Sequence, residues 1–351
     1  MPKATNTTLY AGVAQGRTSP LGGLFRRDLG SDRWEHVTHD LPIERVQAIS
    51  IDPADRNVVY AGTGDGLYQS VDRGTKWRRL PLPDQGVQIW SVTIHPDRPQ
   101  TVLAGGSPVA IYRSDDRGET WRRLPNPPVP DRVKMPFACR VMRFAVNPRD
   151  PNDIYAAIEV NGVIRSRDGG ESWEDCGEHL VRLADLPHLK SQIVSDSETE
   201  GMLDCHAIAV SAATPDEAIV ALRMGLFHSN DGGKSWQDME VGRFSPYRYG
   251  RDIRVSPHDP RVLYSCLSVA AASEAGAIYR SRDVGETWER FDHGVTPTGT
   301  IMAVALHPSD EAQVFAAGRY GQVFGTQDGG RSWHEYPLPE GCKDVYALAC
   351  A

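Results

Sequence analysis

The chain predicts an all-β fold: a single seven-bladed β-propeller of four-stranded antiparallel blades. Three observations carry this. A box of the form Ser/Thr-x-Asp-x-Gly-x-x-Trp recurs at 70–77, 114–121, 166–173, 229–236, 281–288 and 326–333, and a worn copy, "DLGSDRWEHV", begins at Asp28. The seven box tryptophans, Trp34, Trp77, Trp121, Trp173, Trp236, Trp288 and Trp333, stand 43, 44, 52, 63, 52 and 45 residues apart, the spacing of propeller blades with insertions. The two ends are complementary. The first repeat lacks an innermost strand, and the closing "DVYALACA" is an innermost strand with no blade after it.

Within residues 44–82 each strand has a local reason. "VQAISIDP" reads as a strand ended by Pro53, which has no N–H for a ladder. "VVYAGT" and "GLYQSVD" are the second and third, rich in β-branched and aromatic residues. The box follows as a turn, then "KWRRLPL" as the fourth strand. The box Gly permits positive φ, the Asp and Ser/Thr oxygens accept backbone N–H groups of the turn, and the Trp buries its ring between blades. The same order fits the other repeats. The C-terminal strand completes the N-terminal blade, and closure removes open sheet edges. Residues 1–351 form one domain, with 177–205 as an inserted loop or short helix over the channel mouth.

The composition is ordinary for a globular chain rich in turn formers: 33 Gly, 25 Pro, 8% aromatic and 24% charged. A net charge of −8 argues against a broad nucleic-acid surface. The opening "MPKATNTTLYAGVAQG" lacks a signal-peptide apolar core, and no apolar run is long enough to span a membrane, so a cytoplasmic location is expected. The six cysteines show no CxxC and are read as reduced, mostly buried thiols, and the sequon Asn6-Thr7-Thr8 carries little weight. "DGGKS" at 231–235 has His228 where a phosphate loop needs Gly, and "GTGDG" at 62–66 is too short for a dinucleotide fingerprint.

The boxes resemble the Asp-box (BNR) repeats of sialidases, xyloglucanase-type glycoside hydrolases, sortilin-type receptors and photosystem II assembly factors. The resemblance spans nearly the whole chain and implies the propeller. It implies only a structural role for Asp72, Asp116, Asp168, Asp231, Asp283 and Asp328, on the face away from any active site. Two departures narrow what it implies about activity. Sialidases have six blades and an early Arg-Ile-Pro segment, whereas "SPLG" at 19–22 is the nearest stretch here. Xyloglucanase-type enzymes set two propellers around a cleft, and this chain encodes one.

A site is expected at the channel mouth. The three long blade-to-blade links, 126–139, 177–205 and 241–249, all lengthen that rim. In 177–205, apolar residues at 180, 181, 183, 186 and 189 predict a short helix broken near Pro187, followed by an acidic, mobile half; the segment reads as a lid or as a plain surface excursion. Aligning innermost strands on their terminal Pro places Arg45, Gln88, Arg140, His206, Tyr249, Thr300 and Asp344 in one row. Gln47, Trp90, Met142, Ile208, Arg251, Met302 and Tyr346 form the next. The loops between second and third strands add Asp65, Glu159, Arg223, Arg319 and Tyr320, among others.

Glu159, His206 and Asp65 are the acid/base candidates. Arg45, Arg140, Arg223, Arg251 and Arg319 suit a carboxylate or phosphate, because the guanidinium fork binds such groups bidentately. Trp90, Tyr249 and Tyr320 can stack on or bond to a sugar-like ligand. Cys139, Cys205 and His206, with Asp204 beside them, could hold a metal, but buried free thiols explain the same facts, so no metal or cofactor is assigned. Two functions stay open: a glycosidase-like hydrolase or lyase acting on a small anionic or sugar-like molecule, and a non-catalytic scaffold that binds a protein partner.

Overall fold

The structure is a computed structural model that describes residues 7–351; residues 1–6, including Asn6 of the sequon and the first six residues of the segment read for a leader, lie outside it. Seven separate four-stranded antiparallel sheets form a seven-bladed propeller. In six of them the strands run in chain order from the axis outward. The seventh takes Val345–Cys350 as its innermost strand, followed by Thr8–Val13, Gly23–Asp28 and Glu35–His36. Tyr10 faces Ala349 and Ala11 faces Leu348, and the Thr8 and Ala351 amides bond to each other's carbonyls at 2.8 and 3.1 Å. The ring is closed by backbone pairing of its two ends.

Most second and third strands are buried along their length: Val59–Thr63, Ile154–Ile158 and Val314–Gly318 expose nothing. Their repeated Ala and Gly let neighbouring blades approach. At Gly62 an added Cβ would lie 2.8 Å from the Ile89 carbonyl oxygen of the next blade. The fourth strands are shorter than their sequence suggests, two residues each, as in Arg78–Arg79 and Arg122–Arg123. The box Trp turns inward just before them, so little chain remains to pair, and the outer edge of each blade stays short and charged.

The boxes are turns in the expected sense. In the first, Ser70 Oγ donates to Asp72 Oδ1 at 2.8 Å and accepts from the Gly74 N–H at 2.7 Å. Asp72 Oδ1 takes the Lys76 N–H at 2.8 Å, and Trp77 Nε1 donates to the Gly74 carbonyl at 3.0 Å. Gly74 has φ +88°, which only glycine adopts without strain. Trp77 packs with Tyr10 and Val37 of the preceding blade, so the box also joins blades. Trp236 is the most deeply buried of these rings, 1% exposed, its Nε1 on the Cys176 carbonyl of the neighbouring blade.

A second regularity is absent from the boxes. Every innermost strand slips register at its mouth end against its second strand, and Cys205–Ser211 slips a second time between Ala209 and Ser211. The residue left unpaired at the mouth end is Gln47, Trp90, Met142, His206, Arg251, Met302 or Tyr346, one per blade. A bulge leaves its extra residue out of the ladder and re-aims its side chain. All seven bulge residues, Gln47, Trp90, Met142, His206, Arg251, Met302 and Tyr346, line the cavity inside the bore.

This ring corrects one blade of the row alignment. The fourth-to-first link at 177–205 leads into Cys205–Ser211, whose bulge residue is His206, not Ile208. His206 therefore belongs to the deeper row, and Asp204 takes its place at the rim. Five other innermost strands end six residues beyond the bulge at Pro53, Pro96, Pro148, Pro257 and Pro308. Ala212 stands at that point here, and Pro215 lies inside the next strand, Thr214–Leu222.

Candidate functional site

The mouth is built from the rim row, the bulge row and two of the long links. They enclose a cavity of about 240 Å³ lined by Trp90, Arg140, Glu159, Asp204, Arg223, Tyr249, Arg251, Arg319 and Tyr346, with Met135, Phe137, Ile193, Val194 and Glu200 contributed by the links. Trp90, Arg140, Glu159, Arg223, Tyr249, Arg251 and Arg319 of the expected set thus share one cavity, and His206 sits directly beneath it in the bore.

Three expected residues lie elsewhere. Asp65 pairs with Arg79 at 3.3 Å and accepts from the Tyr68 hydroxyl at 3.0 Å, beside a separate depression toward the blade's outer edge. Arg45 and Tyr320 are exposed and do not line the cavity. Spacing alone could not place them, because the direction of a loop side chain is set by the turn and not by its position in the repeat.

Arg140 lies between two aromatic faces, its guanidinium 4.0 Å from the Trp90 ring centre and 4.7 Å from Phe137, and forms a close ion pair with Glu159. Burial, reinforced by the nearby Asp204 charge, pushes the Glu159 carboxyl up, against the opposing pull of Arg140. Asp204 goes the other way. Burial would raise it, but His206 at 3.2 Å and Arg223 at 2.6 Å outweigh that and hold it well below the usual carboxylate range. His206 Nδ1 donates to the Gly250 carbonyl at 2.7 Å, and its Nε2 lies 3.1 Å from the Tyr249 hydroxyl. Burial pushes the Tyr249 phenol up to about 12. Arg319 bonds Asp344 at 3.0 Å and the Ala271 carbonyl at 2.8 Å.

Arg251 differs from these arginines. It is 8% exposed, lines both the mouth and the bore, and makes no hydrogen bond or ion pair among the described residues. Burial disfavours its charge, but the surrounding Tyr249 and Glu159 keep it protonated. A buried guanidinium with open donors is costly unless something binds it.

The insertion folds over one side of the mouth. Its first half is the expected short helix, Glu178–Leu183, followed by a single 3-10 turn that starts at Pro187. The acidic half, expected to be mobile, wraps around Glu200, whose Oε2 accepts from the backbone N–H groups of Ile193, Val194 and Ser195 at 2.9, 3.2 and 3.0 Å and from Ser195 Oγ at 2.7 Å. Burial would raise the Glu200 carboxyl, but these bonds win and hold it low. The turn so formed presents Ile193 and Val194 to the cavity, 53% and 57% exposed. Asp204, named only beside the cysteines, and Glu200 are the charged site residues that the sequence reading did not place at the mouth. The tight link of Asp204 to the strand start was the available signal for the first.

The metal constellation is not assembled: among the described residues no three His, Cys, Asp or Glu side chains gather as ligands. All six cysteines are free thiols and five are buried, with burial pushing Cys205 and Cys139 up. Among the described residues no helix is long and apolar enough to cross a membrane.

Comparison with known proteins agrees with the architecture. A family model described as Sortilin-Vps10 (sortilin, neurotensin receptor 3) matches residues 65–205. A xyloglucanase of Hypocrea jecorina (strain QM6a) is 24% identical over 297 residues, 79% of this chain and 30% of the relative. The GH74 xyloglucanase from Xanthomonas campestris superposes with a TM-score of 0.63 at 18% identity, covering 83% of this chain and 45% of that one. YCF48 bound to D1 peptide superposes with a TM-score of 0.54 at 18% identity, covering 84% and 82%. These matches fit the BNR, or Asp-box, propeller family. The chain spans less than half the length of the xyloglucanases it matches.

Proposed function

We propose that the mouth binds a small anionic, sugar-like molecule and processes it by glycosidase-like hydrolysis. The observation that carries the reading is Arg251. Arg140, Arg223 and Arg319 each have a carboxylate partner, whereas Arg251 is buried, charged and unpartnered at the cavity floor. A ligand carboxylate or phosphate supplies the missing partner. The similarity to xyloglucanases supports a sugar-like body for that ligand.

Two carboxyls in one cavity with oppositely shifted pKa values divide naturally into acid and base. Glu159 keeps a proton at higher pH than an ordinary carboxyl and delivers it to the departing oxygen as the C–O bond breaks. A water whose proton passes to ionised Asp204 supplies the new C–O bond. Trp90, already one face of the Arg140 stack, offers the other face to the ring of the ligand.

The test is a thermal-shift series of sugar acids, phosphorylated sugars and neutral sugars. Anionic sugars raise the melting temperature by mass action and neutral ones do not. The shift disappears in Arg251→Met and weakens in Arg140→Ala. An equal response to neutral sugars, or an anion shift that survives Arg251→Met, would overturn the reading.

One observation favours a second reading, a protein-binding scaffold. Of the exposed large apolar side chains, all but Val71 lie on the loops of the mouth rim, among them Leu21, Phe137, Leu186, Ile193, Val269 and Tyr320. Clustered exposed apolar groups mark interaction surfaces, and the likeness to YCF48 bound to D1 peptide is compatible with one. Capture of a partner by the wild type that fails with Ile193→Ser/Val194→Ser, together with no response to any small anion, would select this reading.

A further inference from the structure

Below Trp90 the bore holds a second enclosed space of about 40 Å³ that the mouth chemistry does not use. Three guanidiniums line it: Arg251 from above, and Arg143 and Arg254 from below. One carboxylate faces them. Asp252 is fully buried and its oxygens are occupied: they accept from the Ile253 and Val304 amides at 3.0 and 3.1 Å, from Arg143 at 3.3 Å and from Arg254 at 3.1 Å. The carboxylates on the mouth side, Glu159 and Asp204, are already held by Arg140 and Arg223.

Open donors converge on this space. Arg251 makes no hydrogen bond and the buried Arg143 Nε has no partner; Gln47, 6% exposed, makes no side-chain hydrogen bond among the described residues, its buried Oε1 included, so its amide is free to turn its NH2 toward the space. Water can satisfy donors, but it cannot offset an excess of positive charge in an enclosed polar bore. The strain is visible in Arg143, whose pKa burial and the neighbouring Arg254 pull down to about 10.

We propose that the bore is a binding site for a small inorganic anion of halide size, held by Arg251, Arg143 and the Gln47 amide. The space holds such an ion with a water or two and has no room for a sugar. This site is distinct from the mouth and does not require the mouth to bind or process anything. Arg251 belongs to both, so an ion in the bore offsets its charge from beneath.

Bromide-soaked crystals, measured at the bromine absorption edge, test this directly. The expected result is an anomalous peak between Arg143, Arg251 and Gln47. Chloride-35 line broadening in solution gives an independent readout, present in the wild type and lost in Arg251→Met/Gln47→Leu, with the melting temperature confirming that the variant folds. A bore filled by water alone with no anomalous peak, or line broadening unchanged in the double variant, overturns the proposal. The sugar-acid thermal shift reports on the mouth separately, so either site can fail without the other.

Discussion

The two faces of the ring follow opposite rules. On the box face, six turns repeat the same bonds: Ser114, Ser166 and Ser281 donate to Asp116, Asp168 and Asp283 at 2.8 Å in each case, and each serine also takes the box glycine amide. On the mouth face the blades diverge. The equivalent bulge positions hold a glutamine, a tryptophan, two methionines, a histidine, an arginine and a tyrosine, and several of their polar atoms lack partners. Repetition of the same serine and aspartate bonds marks what holds the ring together, even where the buried Trp173 and Trp333 Nε1 groups lack a partner. Departure from repetition with groups left open marks where a ligand belongs.

The largest expected effect breaks the box face. Trp236→Ala removes a fully buried ring and its bond to the Cys176 carbonyl, at a cost of about 3–5 kcal/mol in denaturant unfolding. The folded fraction should bind mouth ligands unchanged. Loss of ligand affinity equal to that of a mouth variant would show that the two faces are coupled.

Arg251→Met should act in the reverse manner. It removes a buried guanidinium that makes no hydrogen bond but whose charge Tyr249 and Glu159 favour, so stability changes little, while affinity for anionic ligands falls by about tenfold or more. A variant that is both less stable and unaltered in binding would make Arg251 a structural residue like those of the boxes.

Acid separates the faces further. The Thr120 and Ser172 hydroxyls and amides lead the causes that pull Asp116 and Asp168 down to about 2. Their folded pKa lies below the unfolded value, so their stabilising contribution is present above pH ~4 and is lost as the pH falls toward 2. Glu159 is shifted upward and so favours folding only while protonated, a contribution lost as the pH rises through its folded value. In Asp116→Asn/Asp168→Asn the acid limb of the melting curve should flatten. A limb as steep as the wild type's would place acid sensitivity elsewhere.

How much of this could be read in advance follows the same division. The blades, their order and the closing strand were legible because a box recurs wherever a turn recurs. The bulge row was legible in five blades because a proline ends the strand at a constant distance and in the closing blade from the DVYALACA strand, and it failed where Ala212 stands in place of that proline. Asp65, Arg45 and Tyr320 were placed at the mouth by position, but the turn geometry that directs them outward has no repeated signature. The fold of the insertion was hidden for a different reason. It depends on three consecutive amides converging on the Glu200 carboxylate, a contact made by backbone groups that every residue carries.

That insertion gives the smallest expected effect on stability and the sharpest separation of stability from function. Ile193 and Val194 are more than half exposed, so Ile193→Ser/Val194→Ser should change unfolding by less than about 0.5 kcal/mol. Their backbone amides, which hold Glu200, are untouched by the substitution, so the turn keeps its shape. What changes is the apolar wall that the lid offers to the cavity. A ligand with an apolar substituent should lose affinity while a bare sugar acid keeps it, read as two melting-temperature shifts measured side by side. Equal losses for both would mean that the lid acts by closing the mouth and not by contact with the ligand. No loss for either would return the segment to a surface excursion and leave the arginines as the whole of the site.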